Sequence, residues 1–157
     1  MKITKLFIIV ILLFLTRCDL LTNPPGSNSP LEKTVTKDKI EYKLTIPKNE
    51  FGLQDSLKIT FKVTNKSLIP REFDFSNIQQ FGFRLTNKFN RTVLYYPTIV
   101  SPALSSFNLY PGKSKTYSGS YILKDLNGQY ISKEDYFLHA YLLDQNLPEV
   151  MLPVKVM

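Results

Sequence analysis

Between Leu57 and Asn77 the chain reads LKITFKVTNKSLIPREFDFSN. Leu57, Ile59, Phe61 and Val63 alternate strictly with Lys58, Thr60, Lys62 and Thr64. A period of two places the apolar set on one face of an extended strand, whereas a helix would scatter the same residues around its circumference. Asn65-Lys66-Ser67 then breaks the pattern with side chains that satisfy nearby backbone in turns, and Pro70 removes a ladder donor. Phe73 and Phe75 resume the alternation beyond the corner. A strand, a polar corner and a second strand predict an antiparallel sheet with one buried face.

The remaining chain repeats this pattern. Ile40, Tyr42, Leu44 and Ile46 alternate with polar residues, and a loop over 47–55 turns at Gly52. Phe81, Phe83 and Leu85 mark another strand, 87–91 is a polar turn, and Thr92–Tyr96 is a short strand ended by Pro97. The prolines and serines of 97–108 predict a loop, the longest irregular stretch inside the domain. Pro111-Gly112 suits the centre of a turn, and Asn127-Gly128 is a second turn signal. Between them Tyr117, Gly119, Tyr121 and Leu123 alternate with mostly small residues. Tyr136–Leu143 is apolar on both faces, as a covered central strand is, and 149–156 is a last strand that Pro153 places at an edge. About nine short strands at this spacing, with hardly any helical pattern, predict an all-β, immunoglobulin-like antiparallel β-sandwich over residues 34–157.

The first 33 residues follow other rules. Lys2 and Lys5 precede an apolar run, Leu6–Thr16, of 11 residues. A membrane-spanning helix needs ~20, so charge followed by a short apolar run reads as an export signal. Cys18, the one cysteine of the chain, follows at once. Leu15-Thr16-Arg17-Cys18 resembles a bacterial lipobox, with Arg17 where that motif has a small residue. The resemblance implies a signal peptide over 1–17, lipidation of Cys18, and lipid anchoring of the protein to a membrane of the bacterial envelope. Residues 18–33, with Pro24-Pro25-Gly26-Ser27-Asn28-Ser29-Pro30, lack apolar periodicity and predict a flexible tether. Removing 1–17 takes three of the 20 basic side chains and leaves all 13 acidic ones, about +4, so the apparent basicity of +7 is partly the leader's. No stripe of Lys and Arg interleaves with aromatics, which argues against a nucleic-acid partner.

Several motifs together are similar to the intracellular proteinase inhibitor family of BsuPI-type domains. They are Asn65-Lys66-Ser67 with Pro70 and Phe73-Asp74-Phe75, then Phe81-Gly82-Phe83-Arg84-Leu85, then Leu109-Tyr110-Pro111-Gly112 with Thr116-Tyr117, and finally Tyr136–Leu142. The resemblance covers about residues 40–145 and implies an immunoglobulin-like sandwich and inhibition of a protease partner. Two features depart from it: the family has a Trp-containing segment where Thr92–Tyr96 stands here, and its founding members carry no export leader.

Catalysis finds little support. Acid–base and nucleophilic chemistry need a titratable pair held together. The lone histidine, His139, lies in the most apolar strand and reads as a packed residue. Glu134 and Asp135 are adjacent in a strand and so point to opposite faces. No phosphate-binding loop, metal-ligand spacing or cofactor motif is present. Asn65-Lys66-Ser67 and Asn90-Arg91-Thr92 match a glycosylation acceptor pattern but read as turns. The expected function is therefore binding: a membrane-anchored interaction domain for an envelope protein, with protease inhibition through the 97–108 loop as the alternative. A carbohydrate- or small-ligand-binding site is a further alternative. It needs exposed aromatics on one concave face, for which Tyr95, Tyr96, Tyr110 and Tyr117 are the candidates.

Overall fold

Our computed structural model describes residues 30–157 apart from Gln145, and every regular element in it is a strand. In chain order these are β1 (Leu31–Lys37), β2 (Ile40–Ile46), β3 (Glu50–Phe51), β4 (Ser56–Asn65), β5 (Arg71–Phe75) and β6 (Phe81–Asn87). There follow β7 (Thr92–Tyr96), β8 (Ser105–Leu109), β9 (Ser114–Ile122), β10 (Asp135–Leu142) and β11 (Val150–Val156). One sheet has the order β1-β2-β4-β9, the other β3-β11-β10-β6-β7, and β5 and β8 pair as a separate ribbon. All pairings are antiparallel except the short β3–β11 contact. Splitting the strands so that β2, β4 and β9 form one layer and β11, β10 and β6 the other is the division of an immunoglobulin-like sandwich. The leader, Cys18 and the tether up to residue 29 lie outside the described residues.

The alternation that opens the sequence does what it predicts. Leu57, Ile59, Phe61 and Val63 are each at most 1% exposed, while Lys58, Thr60 and Lys62 face water. Across the interlayer space Phe61 stacks on Phe81 with centroids 5.4 Å apart, and Phe83 meets the edge of Tyr121 at 4.4 Å. Each such aromatic buries a large apolar area and adds ~0.5–1.5 kcal/mol of ring–ring preference. β10 is central in its sheet, between β6 and β11, with Tyr136, Leu138, Ala140 and Leu142 buried on its inner face, but its outer face is only partly covered, since Phe137 is 39% exposed. Tyr136, at the start of β10, donates its hydroxyl to the Ser132 carbonyl at 2.9 Å. This is the tyrosine corner of immunoglobulin-like domains, and fully buried Leu138 stands two residues on, where antibody domains put a disulfide cysteine. Apolar packing therefore takes the place of that covalent bridge between the layers.

Two expectations need correction. β1 begins at Leu31, inside the 18–33 segment read as tether, because Lys33, Leu31 and Val35 pair in register with Leu44, Ile46 and Tyr42. Residues 105–108 are not loop: they belong to β8, where Phe107 pairs with Phe73 and stacks on it at 4.7 Å. Serines beside the single large residue hid that strand's weak alternation. Asn65 satisfies nearby backbone at the corner as its pattern predicts, and it does so as the buried last residue of β4. Its Nδ2 donates to the carbonyls of Ile69 and Leu109 at 2.8 and 2.7 Å, and its Oδ1 accepts from the Ser67 amide at 2.8 Å. Its main chain also clasps the next hairpin, through Asn65 N to Lys113 O and Gly112 N to Asn65 O. An amide wholly spent in this way serves as a corner clip, not as a glycan acceptor. Pro153 does lie on open edge, because β3 pairs with β11 only at Lys155 and Val156.

Candidate interaction site

Two sheet edges, β9 in one layer and β7 in the other, end on the same side of the sandwich, and among the described residues no further strand pairs with either. Between them lies a cleft of about 460 Å³ lined by Phe81, Tyr96, Tyr117, Tyr121, Gln80 and Ile78, among others. Its size falls in the range of natural ligand pockets, about 300–1,000 Å³. β9 builds one wall because Lys115, Tyr117, Gly119 and Tyr121 register against Val63, Phe61, Ile59 and Leu57 and so point inward. Phe81 stacks on Tyr117 at 5.5 Å, and Tyr96 lies 5.1 Å from Tyr121 across the opening. Tyr121 folds back over Gly119, whose missing side chain makes the room: a Cβ there would lie 2.5 Å from the Tyr121 hydroxyl.

Gln80 fixes the polar end of the cleft. Its Oε1 accepts from Lys115 Nζ at 2.6 Å and from the Tyr117 hydroxyl at 3.2 Å, and its Nε2 donates to Ser105 Oγ at 3.2 Å. Lys115 also lies 4.0 Å from the Phe107 ring centroid, a cation–π contact. Burial pulls the Lys115 ammonium below its ordinary pKa and pushes the Tyr117 phenol above its own, so Tyr117 stays a neutral donor. Burial, with Tyr96 second, raises Tyr121 as well. An inward lysine on an edge strand is a known device against indiscriminate pairing, and it occupies only the first turnings of β9. From Thr116 to Ile122 the outward side chains are Thr116, Ser118, Ser120 and Ile122, all uncharged.

The loop that remains of the predicted 97–108 segment, 97–104, is tied to the cleft through Gln79. Its Ser101 amide is pinned to Gln79 Oε1 at 3.1 Å, while Ile99 and Leu104 are 82% and 88% exposed. Ile78, 54% exposed, is an apolar residue of the cleft lining itself.

Of the four tyrosines singled out from sequence, Tyr96 and Tyr117 line the cleft. Tyr95 pairs with Arg84 in register on the outer face of its sheet, and Tyr110 projects from a turn. Gln80, Phe81 and Tyr121 were not singled out. The inward Lys-x-Tyr-x-Gly-x-Tyr pattern of 115–121 was the available signal, since a charge on a strand's buried side marks an edge.

His139 packs as expected yet has company. Its Nε2 lies 3.1 Å from Thr86 Oγ1 and its Nδ1 3.2 Å from Glu149 Oε2, while Arg84 holds the same carboxylate oxygen at 2.8 Å. The order hydroxyl, imidazole, carboxylate is that of a nucleophilic relay. Thr86, however, is 1% exposed, so no substrate reaches its hydroxyl, and the network serves to satisfy buried polar groups. Burial, then the Arg84 charge, lowers the His139 pKa against the opposing pull of Glu149. Glu134 accepts from Ser132 and Tyr136, and Asp135 is exposed at the start of β10, so the two carboxylates do not act together. Among the described residues no three His, Cys, Asp or Glu side chains group as a metal site. No helix of the described residues is long and apolar enough to cross a membrane.

No protein-family model matches the chain, and no curated protein does either. Solved structures superpose only loosely. A β-glucosidase, EmGH1 from Erythrobacter marinus, aligns at TM-score 0.46 and 13% identity over 82% of this chain and 16% of its own. The alkylpurine DNA glycosylase AlkC of Pseudomonas fluorescens aligns at 0.46 and 8% over 78% and 31%. The sporulation control protein Spo0M of Bacillus subtilis aligns at 0.42 and 11% over 82% and 49%. The chain thus spans less than half the length of each.

Proposed function

We propose that this protein is a lipid-anchored interaction module of the bacterial envelope that binds an extended segment of a partner protein by adding it as a strand to β9. The observation that carries the reading is the nine-residue β9, the last strand of its sheet, bordering an aromatic cleft. An added strand pairs its backbone with the outward row of β9 amides and carbonyls, which supplies affinity. Its alternate side chains then enter the cleft against Phe81, Tyr96 and Tyr121, which supplies preference for apolar residues there. Anchoring rests on Cys18 and the leader before it, and membrane attachment leaves the sandwich free to present this edge.

Photo-crosslinking in cells tests the reading, with a benzophenone side chain at Thr116, Ser118 or Ser120 of β9 and, as control, at Thr34 on the opposite edge strand β1. One common polypeptide captured from the β9 positions and not from Thr34 is the expected result. Capture no stronger than at Thr34 overturns it.

A second reading, protease inhibition through the 97–104 loop, is favoured by the exposure of Ile99 and Leu104 on a loop whose main chain is pinned by Gln79. Titration of the chain against subtilisin- and trypsin-like proteases tests it. Stoichiometric loss of protease activity with the chain intact supports inhibition, and simple digestion refutes it for these enzymes.

A further inference from the structure

A different part of the molecule carries an interaction of another kind. At the end of the sandwich where β4 finishes, Leu68, Ile69 and Tyr110 are 94%, 70% and 60% exposed. They come from two loops far apart in sequence, and the Asn65 clip ties those loops together by donating to both the Ile69 and the Leu109 carbonyls. Ser67 adds a third tie through its hydroxyl to the Ile69 carbonyl at 2.8 Å. Three large apolar side chains are therefore held out into solvent on a rigid mount, a costly arrangement for a surface that touches only water.

Cations outnumber acids at the same end. Lys66 lies beside the tip and its amide donates to the Lys39 carbonyl at 2.8 Å, which brings the β1–β2 turn alongside. Lys113 belongs to the Tyr110 turn, and Arg71 pairs in register with Leu109. Asp38, Glu41 and Glu72 are the acidic residues nearby, and Glu41 forms an ion pair with Lys66 at 3.7 Å, which leaves Lys39, Arg71 and Lys113 beside the tip. Apolar tips with cations beside them match the boundary between acyl chains and anionic headgroups. A protein partner of ordinary size needs about 800 Å² of surface on each side, and three projecting side chains offer a wedge rather than such a platform.

We propose that the Leu68–Ile69–Tyr110 tip docks on an anionic lipid surface and orients the sandwich on the membrane. The tip lies at the end of the sandwich opposite to the chain's entry, since Ile40 pairs with Asn65 whereas Leu31 pairs with Ile46. The stretch 19–30 reaches at most about 40 Å when extended, against ~23 Å for a seven-residue strand, so an anchor at Cys18 and this tip can meet one membrane. The inference is independent of the β9 edge.

The chain contains no tryptophan, which permits a direct test. Leu68→Trp in the full-length chain gives a single reporter at the tip, Ile69→Trp a second, and Leu126→Trp a control at the far end, where Leu126 is 60% exposed. Each variant is bound to vesicles of phosphatidylcholine and phosphatidylglycerol carrying brominated acyl chains. All variants keep the leader, so any vesicle binding through it is common to them and only the reporter position differs. Docking predicts blue-shifted emission and several-fold stronger bromine quenching at 68 and 69 than at 126. It also predicts that the difference collapses without phosphatidylglycerol or with Lys66→Glu and Lys113→Glu together. Equal quenching at all three positions, or none at 68 and 69 on vesicle-bound protein, overturns the proposal. A shift at 68 with soluble envelope proteins but not with vesicles overturns it in favour of a protein contact.

Discussion

β9 and β7 flank one cleft, yet they are built as opposites. β7 has five residues, a register irregularity opposite Leu85 and Thr86, and Pro97 directly after its last residue. β9 has nine residues and pairs without interruption from Ser114 to Ile122. Short length, irregularity and proline are the means by which sheet edges avoid stray pairing. β1, the other edge of the β9 sheet, carries Glu32, Lys33 and Lys37 as charged guards. The difference teaches that edge protection in this sandwich is local. It is applied to β7 and β1 and left off the outward side of β9, which is the edge one expects a partner to use.

The largest effect should come from removing the clip that starts β9. Asn65→Ala takes the side-chain partner from the buried Leu109 carbonyl and the Ser67 amide and one of two donors from the Ile69 carbonyl, a cost of about 3 kcal/mol. Thermal melts measure the loss, and hydrogen exchange should show the 110–116 amides opening well before those of 92–96. Equal loosening of both edges would break the comparison.

Two glycines come next, Gly119 in the cleft wall and Gly82 on the outer face of β6. A Cβ on Gly82 would meet the Tyr96 carbonyl of β7 and a Leu143 methyl, each at 2.9 Å, whereas one on Gly119 meets mainly the swinging end of Tyr121. Backbone cannot step aside as a side chain can, so Gly82→Ala should cost about 3 kcal/mol and Gly119→Ala about 1 kcal/mol. Gly119→Ala should instead expel the Tyr121 ring, seen as altered aromatic near-ultraviolet dichroism.

Giving β9 the guards of β1 is a sharper but gentler change. The triple variant Thr116→Lys, Ser118→Lys and Ser120→Lys should cut partner capture at this edge by at least about tenfold, some 1.4 kcal/mol. Its melting temperature should stay within a few degrees of wild type, because exposed substitutions cost about 0.5 kcal/mol or less each. Unchanged capture would dissociate binding from the edge.

The smallest effect is one of pH, and it belongs to the β7 sheet. His139 has its pKa lowered from an ordinary 6.5, so below that value the unfolded chain takes up a proton that the folded chain resists. Stability should therefore be fully present above about pH 6.5 and decline as pH falls toward the folded-state pKa, then level off. In His139→Gln melts this slope should vanish. A slope that persists would place the titrating group elsewhere.

Most of the strands are legible in the chain because alternation is a local property. Ile40–Ile46, Leu57–Val63, Phe81–Leu85 and Tyr136–Leu142 each announce an inward face, and each has one. β1 and β8 were hidden because Glu-Lys-Thr-Val-Thr and Ser-Ser-Phe-Asn carry too few large residues to show a period, and their stability comes from the strands they join. The His139 network escaped notice for a related reason: Thr86 lies on β6, His139 on β10 and Glu149 just before β11, and only the pairing of those strands brings the side chains to one place. The turn at Asp38-Lys39, left-handed at both residues with φ of 52° and 61°, also lacks the glycine or asparagine that usually advertises such a hairpin.

By itself, then, the sequence determined the all-β class, the inward and outward face of each well-patterned strand, and the two proline- or asparagine-marked glycine turns. These depend on neighbours two to four positions away. Which strand is left at an edge, whether Tyr96 and Tyr121 share a cleft, and whether Leu68 stands beside Tyr110 depend on pairings between residues tens of positions apart. Alternation says which way a side chain faces but not what lies opposite it. Only the closed sandwich, in which β9 ends one sheet beside the end of the other, decided where this protein has backbone and aromatic surface to offer.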